Sequence, residues 1–324
     1  MMDLAKLQEK FGIPGVLAFE KAAGGLVAAQ VTSPAAAATI YMQGAHVTHW
    51  KPAGQAPAIF LSQRAEFAEG KPIRGGVPVI FPWFGERHDG KTGPMHGFAR
   101  LSEWDLAFAG MSGPETDPAL HLAFTLAPNE LSHSLGFDHF KLGYRVIVGR
   151  KLTLEMTVAN DSGSGGTKPG DAADVHMTAN GAPLVYEQAL HTYYAVADAR
   201  KVSIDGLGGV TYIDKVDDFK RKVQPAGALK FEGRTDRPYL NTTATCVLHD
   251  EAGKRRIVVA KTGSNSTVVW NPWQEFNAKM ADMEPDAWLH MTAIETANVG
   301  ENAVTLQPGA THTMRADISI EAAG

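Results

Sequence analysis

One cysteine, Cys246, stands among 324 residues, so no disulfide can form within the chain and the cytoplasm, a reducing compartment, is the expected home. No apolar run reaches the roughly 18 residues that a membrane-spanning helix needs. The opening MMDLAKLQEKFGIPG carries acidic groups and no apolar stretch, so neither a membrane anchor nor a secretory signal is expected. Basic runs are missing too. With 30 Lys and Arg against 35 Asp and Glu the formal net charge is −5, which argues against a nucleic-acid partner while permitting a local basic pocket. Absent as well are the Gly-x-Ser-x-Gly elbow, the Walker loop, a Gly-x-Gly-x-x-Gly turn opening a helix and the His-Glu-x-x-His zinc helix, which removes several common chemistries.

What is present suffices for a large core: 44% of residues are hydrophobic and 20% charged, ordinary values for a globular protein. Helical spacing occurs in DLAKLQEKF, residues 3 to 11, which Gly12 and Pro14 should end, so residues 1–15 read as a helical extension. One more helical turn or two is expected within QEFNAKMADM. Elsewhere the period is two. VAAQVT, ATIYM, HVTHW and AIFLS, then ALHLAFTL, YRVIVGR and KLTLEMTVAN, then DVHMTA, YEQALHTYYAV, RRIVVAK, STVVW and WLHMTAIE are short strand-like runs spaced by turn residues. DSGSGGTKPGDAAD, 161 to 174, could be an interdomain linker, but strands of the same rhythm flank it, which favours a long hairpin loop. The pattern predicts an all-β protein with few short helices: one large two-sheet antiparallel β-sandwich filling residues 1–324.

Chemistry concentrates in KPIRGGVPVIFPWFGERHDGKTGPMHGFARLSEW, residues 71 to 104. Its glycines and prolines forbid a long helix, and Phe81, Trp83, Phe84 and Phe98 stiffen it. Arg74 and Arg100 bracket the run. Two planar guanidinium forks on a stiff loop suit a phosphate, and aromatic rings suit the apolar face of a sugar. His96 either contacts a ligand or ties the loop down, with Arg100 four residues on favouring the ligand. His191, beside Tyr193 and Tyr194 in a strand-like run, is either a hydrogen-bonded structural histidine or a proton donor. Glu295 follows a β-like apolar run, and alternation sets it on the face opposite Ile294 at the end of a central strand. There it is either solvated or a base with a raised pKa. Asp214 is either a local turn cap or a partner for sugar hydroxyls. WNPW, 270 to 273, is a strand-end plug or a stacking surface. His46 and His49, three apart on a strand, point to opposite faces and make a poor metal pair.

Together these stretches resemble the hexose-6-phosphate mutarotases (glucose-6-phosphate 1-epimerases) of the aldose 1-epimerase superfamily. KPIRGGVPVIFPWFG, HGFAR, ALHTYYAVAD, GLGGVTYID, TVVWNPW, KMADM and IETANV occur in that family's order over nearly the whole chain. The resemblance implies a galactose-mutarotase-like sandwich with the substrate in a cleft across one sheet. It implies His191 as catalytic acid, Glu295 as base, Arg74 and Arg100 as phosphate ligands and Asp214 as a sugar-hydroxyl partner. Met95 departs from the pattern, since some members carry a glutamine before the His-Gly pair. The implied reaction exchanges the α and β anomers of an aldohexose 6-phosphate. Two proton-transfer groups suffice for it, so neither metal nor organic cofactor is called for, and the protein is expected to act as a monomer. Two other readings stand beside this one: a mutarotase of unphosphorylated aldoses, and a noncatalytic carbohydrate-binding β-sandwich.

Overall fold

The computed structural model describes residues 3–162 and 181–323. Apart from Asp161 and Ser162, the loop expected over 161–174 lies outside the described residues, as does DVHMTA. Alternation builds the rest. Along Phe140–Val148 the buried positions are every second residue, and the adjoining strand Leu152–Asn160 buries Leu152, Leu154, Met156 and Val158 on the same face. The two pair antiparallel with Tyr144 opposite Met156. A one-residue slip would turn that apolar row outward, so register is strongly specified.

Among the described residues a nine-stranded sheet runs from Leu229–Lys230 at one edge to Asp105–Ser112 at the other. An eight-stranded sheet runs from Lys220–Val223 to Val79–Ile80, with Met291–Asn298 well inside it. One hydrophobic cluster takes Leu122 and Tyr144 from the first sheet and Leu190, Val269 and Ile294 from the second, so the two large sheets close over a shared core. Burial of each such side chain is worth about 1.5–3 kcal/mol. The two-sheet expectation leaves out a smaller sheet: four strands over residues 17–52 add Val31, Ile40 and Trp50 to the same cluster, and the Trp50 Nε1–H donates to the Gly149 carbonyl at 3.2 Å.

The first helix is Leu4–Phe11, where Asp3 accepts from the Ala5 N–H as N-cap and Leu7 enters the core. A second helix, Glu130–Ser134, is absent from the periodicity reading. Its signal was the capping box of Asn129 and Ser132, not an apolar stripe, because one and a half turns are too short to show a period. The third is Trp273–Asn277, which starts one residue before QEFNAKMADM and stops before its second half. AIFLS forms no strand but only isolated bridges, Ile59 to Tyr194 and Leu61 to Gly75. Among the described residues no helix is long and apolar enough to cross a membrane.

Candidate active site

The site begins with a broken strand. Gln188–Leu190 and Tyr193–Ala195 both pair with Met291–Asn298, Leu190 opposite Thr296 and Tyr193 opposite Ala293. His191 and Thr192 fill the gap between them, so His191 leaves the ladder, and its N–H donates to the Pro78 carbonyl at 3.0 Å instead. Register then sets His191 beside Glu295, 104 positions on. Nε2 of the imidazole lies 3.3 Å from Oε1 of the carboxyl, with both side chains buried. Glu295 is mid-strand, not at the strand end expected, and every residue of that strand is buried. Its neighbour Ile294 faces the main core, so Glu295 faces the opposite side of the sheet.

Neither group is otherwise satisfied. Nδ1 of His191 and Oε2 of Glu295 are buried without a hydrogen-bond partner among the described residues. Burial, then the Arg100 and Arg74 charges, hold His191 well below the ordinary imidazole range. Burial, then the Asp236 charge, push Glu295 well above the carboxylate range. Both shifts favour neutral forms, so the free site holds a neutral imidazole beside a carboxyl disposed to keep its proton.

The two arginines meet this pair from the loop. Arg74 Nε donates to Asp282 at 2.9 Å and Nη1 to the Tyr193 hydroxyl at 3.1 Å, an arrangement that aims the fork before any ligand arrives. Burial opposes its charge, but Tyr193 and Asp282 outweigh burial and the pKa rises. Arg100 is brought down to about 10, chiefly by burial and with Arg74 contributing, so the two cations sense each other and both remain charged at neutral pH. Nη2 of Arg100 donates to the Met95 carbonyl at 2.7 Å, while its Nε is buried with no partner among the described residues. An unpaired donor on a half-buried cation is what an anion site presents.

His96 has φ +65, a strained conformation for a non-glycine residue, held because its own N–H donates to the Gly85 carbonyl and its Nδ1 accepts from the Gly85 N–H at 3.1 Å. With Nδ1 an acceptor, the neutral ring carries its proton on Nε2. Its ring meets His191 edge to face at 5.4 Å. His96 thus ties the loop down and also borders the His191–Glu295 pair.

Asp214 does not join them. It lies on the same strand face as Tyr212, which belongs to the main core, and its carboxylate is taken by the Val216 N–H at 3.1 Å and by Lys222 at 2.8 Å. These contacts are those of the local cap. The residues that serve this end of the site are Lys215, whose ammonium lies 4.7 Å from the Phe84 ring centre, and Asp236, 3.8 Å from Lys215. Asp236 lies opposite Trp270, on the same face as Glu295, and burial raises its pKa. Both were missed; strand alternation could have found Lys215, one step from Asp214, but only cross-strand register identifies Asp236.

The aromatic residues divide. Phe81 and Phe98 belong to the main core and Trp83 packs on Phe98 and Phe137, so of the four loop rings only Phe84 flanks His191, at 6.4 Å. WNPW splits as well: Trp270 meets His191 at 6.4 Å, and Trp273 packs on Trp288.

The Arg-Gly-Gly corner depends on glycine. Gly76 has φ +69, and a Cβ there would lie 2.3 Å from Nε2 of His46, which donates to the Gly75 carbonyl at 2.8 Å. Gly76→Ala is expected to lower stability by about 1–3 kcal/mol in urea unfolding, and an unchanged midpoint would contradict the packing described. His46 is fully buried, and desolvation lowers its pKa to about 4. An unfolded chain binds this proton near pH 6.5, so the contribution is complete above that pH and is lost as pH falls toward 4, by roughly 3 kcal/mol. His46→Gln should flatten the fall in unfolding free energy between pH 7 and pH 4; an identical slope in both proteins would exclude His46 as its source.

A hollow of about 460 Å³ opens on the nine-stranded sheet among Lys201, Asp205, His249 and Arg256. Its His249 is already paired with Asp205 and its Arg256 with Glu321, each at 2.8 Å, and the unsatisfied acid and base lie elsewhere.

Two antiparallel sheets share one core, and a buried His–Glu pair lies on the outer face of one of them within range of two guanidinium charges, an arrangement suited to proton transfer beside an anion. The aldose 1-epimerase family profile matches residues 29–165 and 172–319. An Escherichia coli K12 protein named provisionally as a glucose-6-phosphate 1-epimerase is 34% identical over 271 residues, 84% of this chain and 83% of its own. One from Cenchrus ciliaris with the same provisional name is 31% identical over 274 residues, 84% of this chain and 78% of its own. The crystal structure of Salmonella typhimurium YeaD, described provisionally as a mutarotase, superposes with a TM-score of 0.83 at 29% identity over 96% of each chain. The chain belongs to the aldose 1-epimerase family.

Proposed function

We propose that this protein interconverts the α and β anomers of aldohexose 6-phosphates, glucose 6-phosphate foremost, with the phosphate on Arg74 and Arg100 and C1 over His191 and Glu295. The observation that carries this reading is the 3.3 Å approach of His191 to Glu295, both buried, within range of two guanidinium charges. Glu295 as carboxylate takes the proton of the C1 hydroxyl while His191 as imidazolium gives one to the ring oxygen. The C1–O5 bond breaks and C1=O1 forms. C1 then turns about its bond to C2, O5 closes on the other face, and both protons return. No net proton, electron or cofactor is consumed, and each assisted transfer contributes about 10²–10⁴-fold.

A bound phosphate dianion supplies what the free site lacks. The positive charges of Arg100 and Arg74 oppose protonation of His191, and an anion between them cancels that field. Substrate thus favours the imidazolium–carboxylate form that opens the ring, and the neutral form matches the open aldehyde. His96 Nε2–H and Asp236 are a donor and an acceptor suited to sugar oxygens. Relatives named for glucose 6-phosphate support the same substrate. All these residues come from one chain, which suits a monomer, and the buried, unpaired thiol of Cys246 suits the cytoplasm.

Exchange spectroscopy on equilibrated glucose 6-phosphate tests the reading. Enzyme-dependent transfer between the two H1 signals is expected. Line broadening from binding with no transfer would instead make the protein a noncatalytic binder.

A further inference from the structure

Most catalytic histidines are oriented by a hydrogen bond from the ring nitrogen that does no chemistry. His191 has none: its Nδ1 is buried and unpartnered among the described residues, and Nε2 faces Glu295. Besides the approach of Nε2 to Glu295, the contacts that set the plane of the imidazole are with the rings around it. The nearest parallel one is Tyr193, with centroids 4.8 Å apart and planes within 12°. Tyr193 is fixed in turn: it is buried, Trp270 meets it edge-on at 5.8 Å, and Met283 and Met291 pack beside it. The same side chain reaches the other end of the site, because its hydroxyl oxygen accepts from Arg74 Nη1 at 3.1 Å.

We propose that Tyr193 is the positioning residue that joins the two ends of the substrate site, its ring setting the plane of the His191 imidazole and its hydroxyl setting the Arg74 fork. The inference rests on the proposed function for its kinetic arm but makes structural claims of its own. A flat ring against the imidazole face holds the nitrogen toward the sugar and favours the imidazolium by cation–π attraction. The hydroxyl holds one guanidinium N–H in place, which leaves Nη2 to an anion. One residue thereby fixes the span between the phosphate and C1.

The two roles separate in two variants. Tyr193→Phe keeps the ring and loses the acceptor. Its KM for glucose 6-phosphate should rise about tenfold with kcat within about twofold, while unphosphorylated glucose, if turned over at all, is unaffected. Tyr193→Leu loses both, and kcat should fall about a hundredfold as the imidazole swings free. Phenylalanine at this position thus rescues kcat but not KM. Two further readouts need no turnover. Inorganic phosphate should bind Tyr193→Phe about tenfold more weakly than wild type by calorimetry. The His191 ring, which Arg100, Arg74, Lys215, His96 and the adjacent Glu295 also influence, with Asp236 acting on Glu295, should titrate at lower pH in Tyr193→Leu than in wild type when followed by NMR. Equal phosphate affinity in wild type and Tyr193→Phe, or a KM change shared by glucose, overturns the hydroxyl's role. An unshifted His191 titration and equal kcat in both variants overturn the ring's role. Wild-type protein that exchanges no anomers removes the proposed function, and the phosphate and titration measurements still decide the case for Tyr193. Should Tyr193→Leu not fold, Tyr193→Phe with phosphate and sugar decides the hydroxyl's part, and Tyr193→Trp, which retains a flat ring without the hydroxyl, decides the ring's by preserving or losing kcat.

Discussion

Glu295→Gln is expected to lower enzyme-dependent exchange of glucose 6-phosphate anomers by about a thousandfold, and His191→Ala by a similar factor. Glutamine preserves the size of the side chain but cannot take the C1 hydroxyl proton, so substrate should still bind and kcat should fall at nearly unchanged KM. Alanine at 191 removes the group proposed to protonate the ring oxygen. The double variant should be little worse than either single one, because the proton passed from one group must be matched by the proton given by the other. Each variant also removes a buried, poorly satisfied ionisable group, so their unfolding midpoints should not fall with their activity; lost activity accompanied by lost folding would make these residues structural. Wild-type exchange in either variant would exclude the acid–base assignment.

Arg74→Ala and Arg100→Ala should each raise KM for glucose 6-phosphate by about a hundredfold, the consequence of losing a charge-assisted contact to a dianion. Reaction with unphosphorylated glucose, where measurable, should not weaken in parallel. Arg100→Ala carries a second signature. Arg100 is the charge that most opposes protonation of His191, so removing it should raise the pH at which the unliganded imidazole titrates. Lysine at either position is a poor substitute, since a point charge cannot supply the fork whose Nε and Nη1 in Arg74 are already committed to Asp282 and Tyr193. Equal losses for glucose and glucose 6-phosphate would remove the phosphate role.

Much of this was legible before any coordinates. Period-two runs such as YRVIVGR and KLTLEMTVAN became neighbouring strands because one buried face leaves alternation little freedom. Residues 3 to 11 carried both a stripe and a stop, and the helix spans Leu4–Phe11. His191 and Glu295 were open questions locally and became a pair only through register, since nothing within ALHTYYAV says that the strand breaks at His191. AIFLS shows the converse: an apolar run that reads as a strand but finds no partner long enough to ladder with. Asp214 was chosen for its residue type at a turn, and the structure gives that carboxylate to Lys222. Tyr193 and Asp282 stand in stretches that were singled out, ALHTYYAVAD and KMADM, but nothing local gave either a role, and Asp236 carried no signal at all. Each acquires its place from a residue far along the chain, Tyr193 and Asp282 from Arg74 and Asp236 from Trp270, and such pairings are properties of the folded sheet.

The most direct measurement uses one sample holding wild-type protein with equal concentrations of glucose and glucose 6-phosphate, in which the α-anomer H1 signals are selectively inverted. Inversion should pass to the β anomer of glucose 6-phosphate at a rate proportional to enzyme, while glucose transfers far more slowly. Equal transfer in both sugars, or none in either, would contradict a catalytic pair served by a phosphate grip.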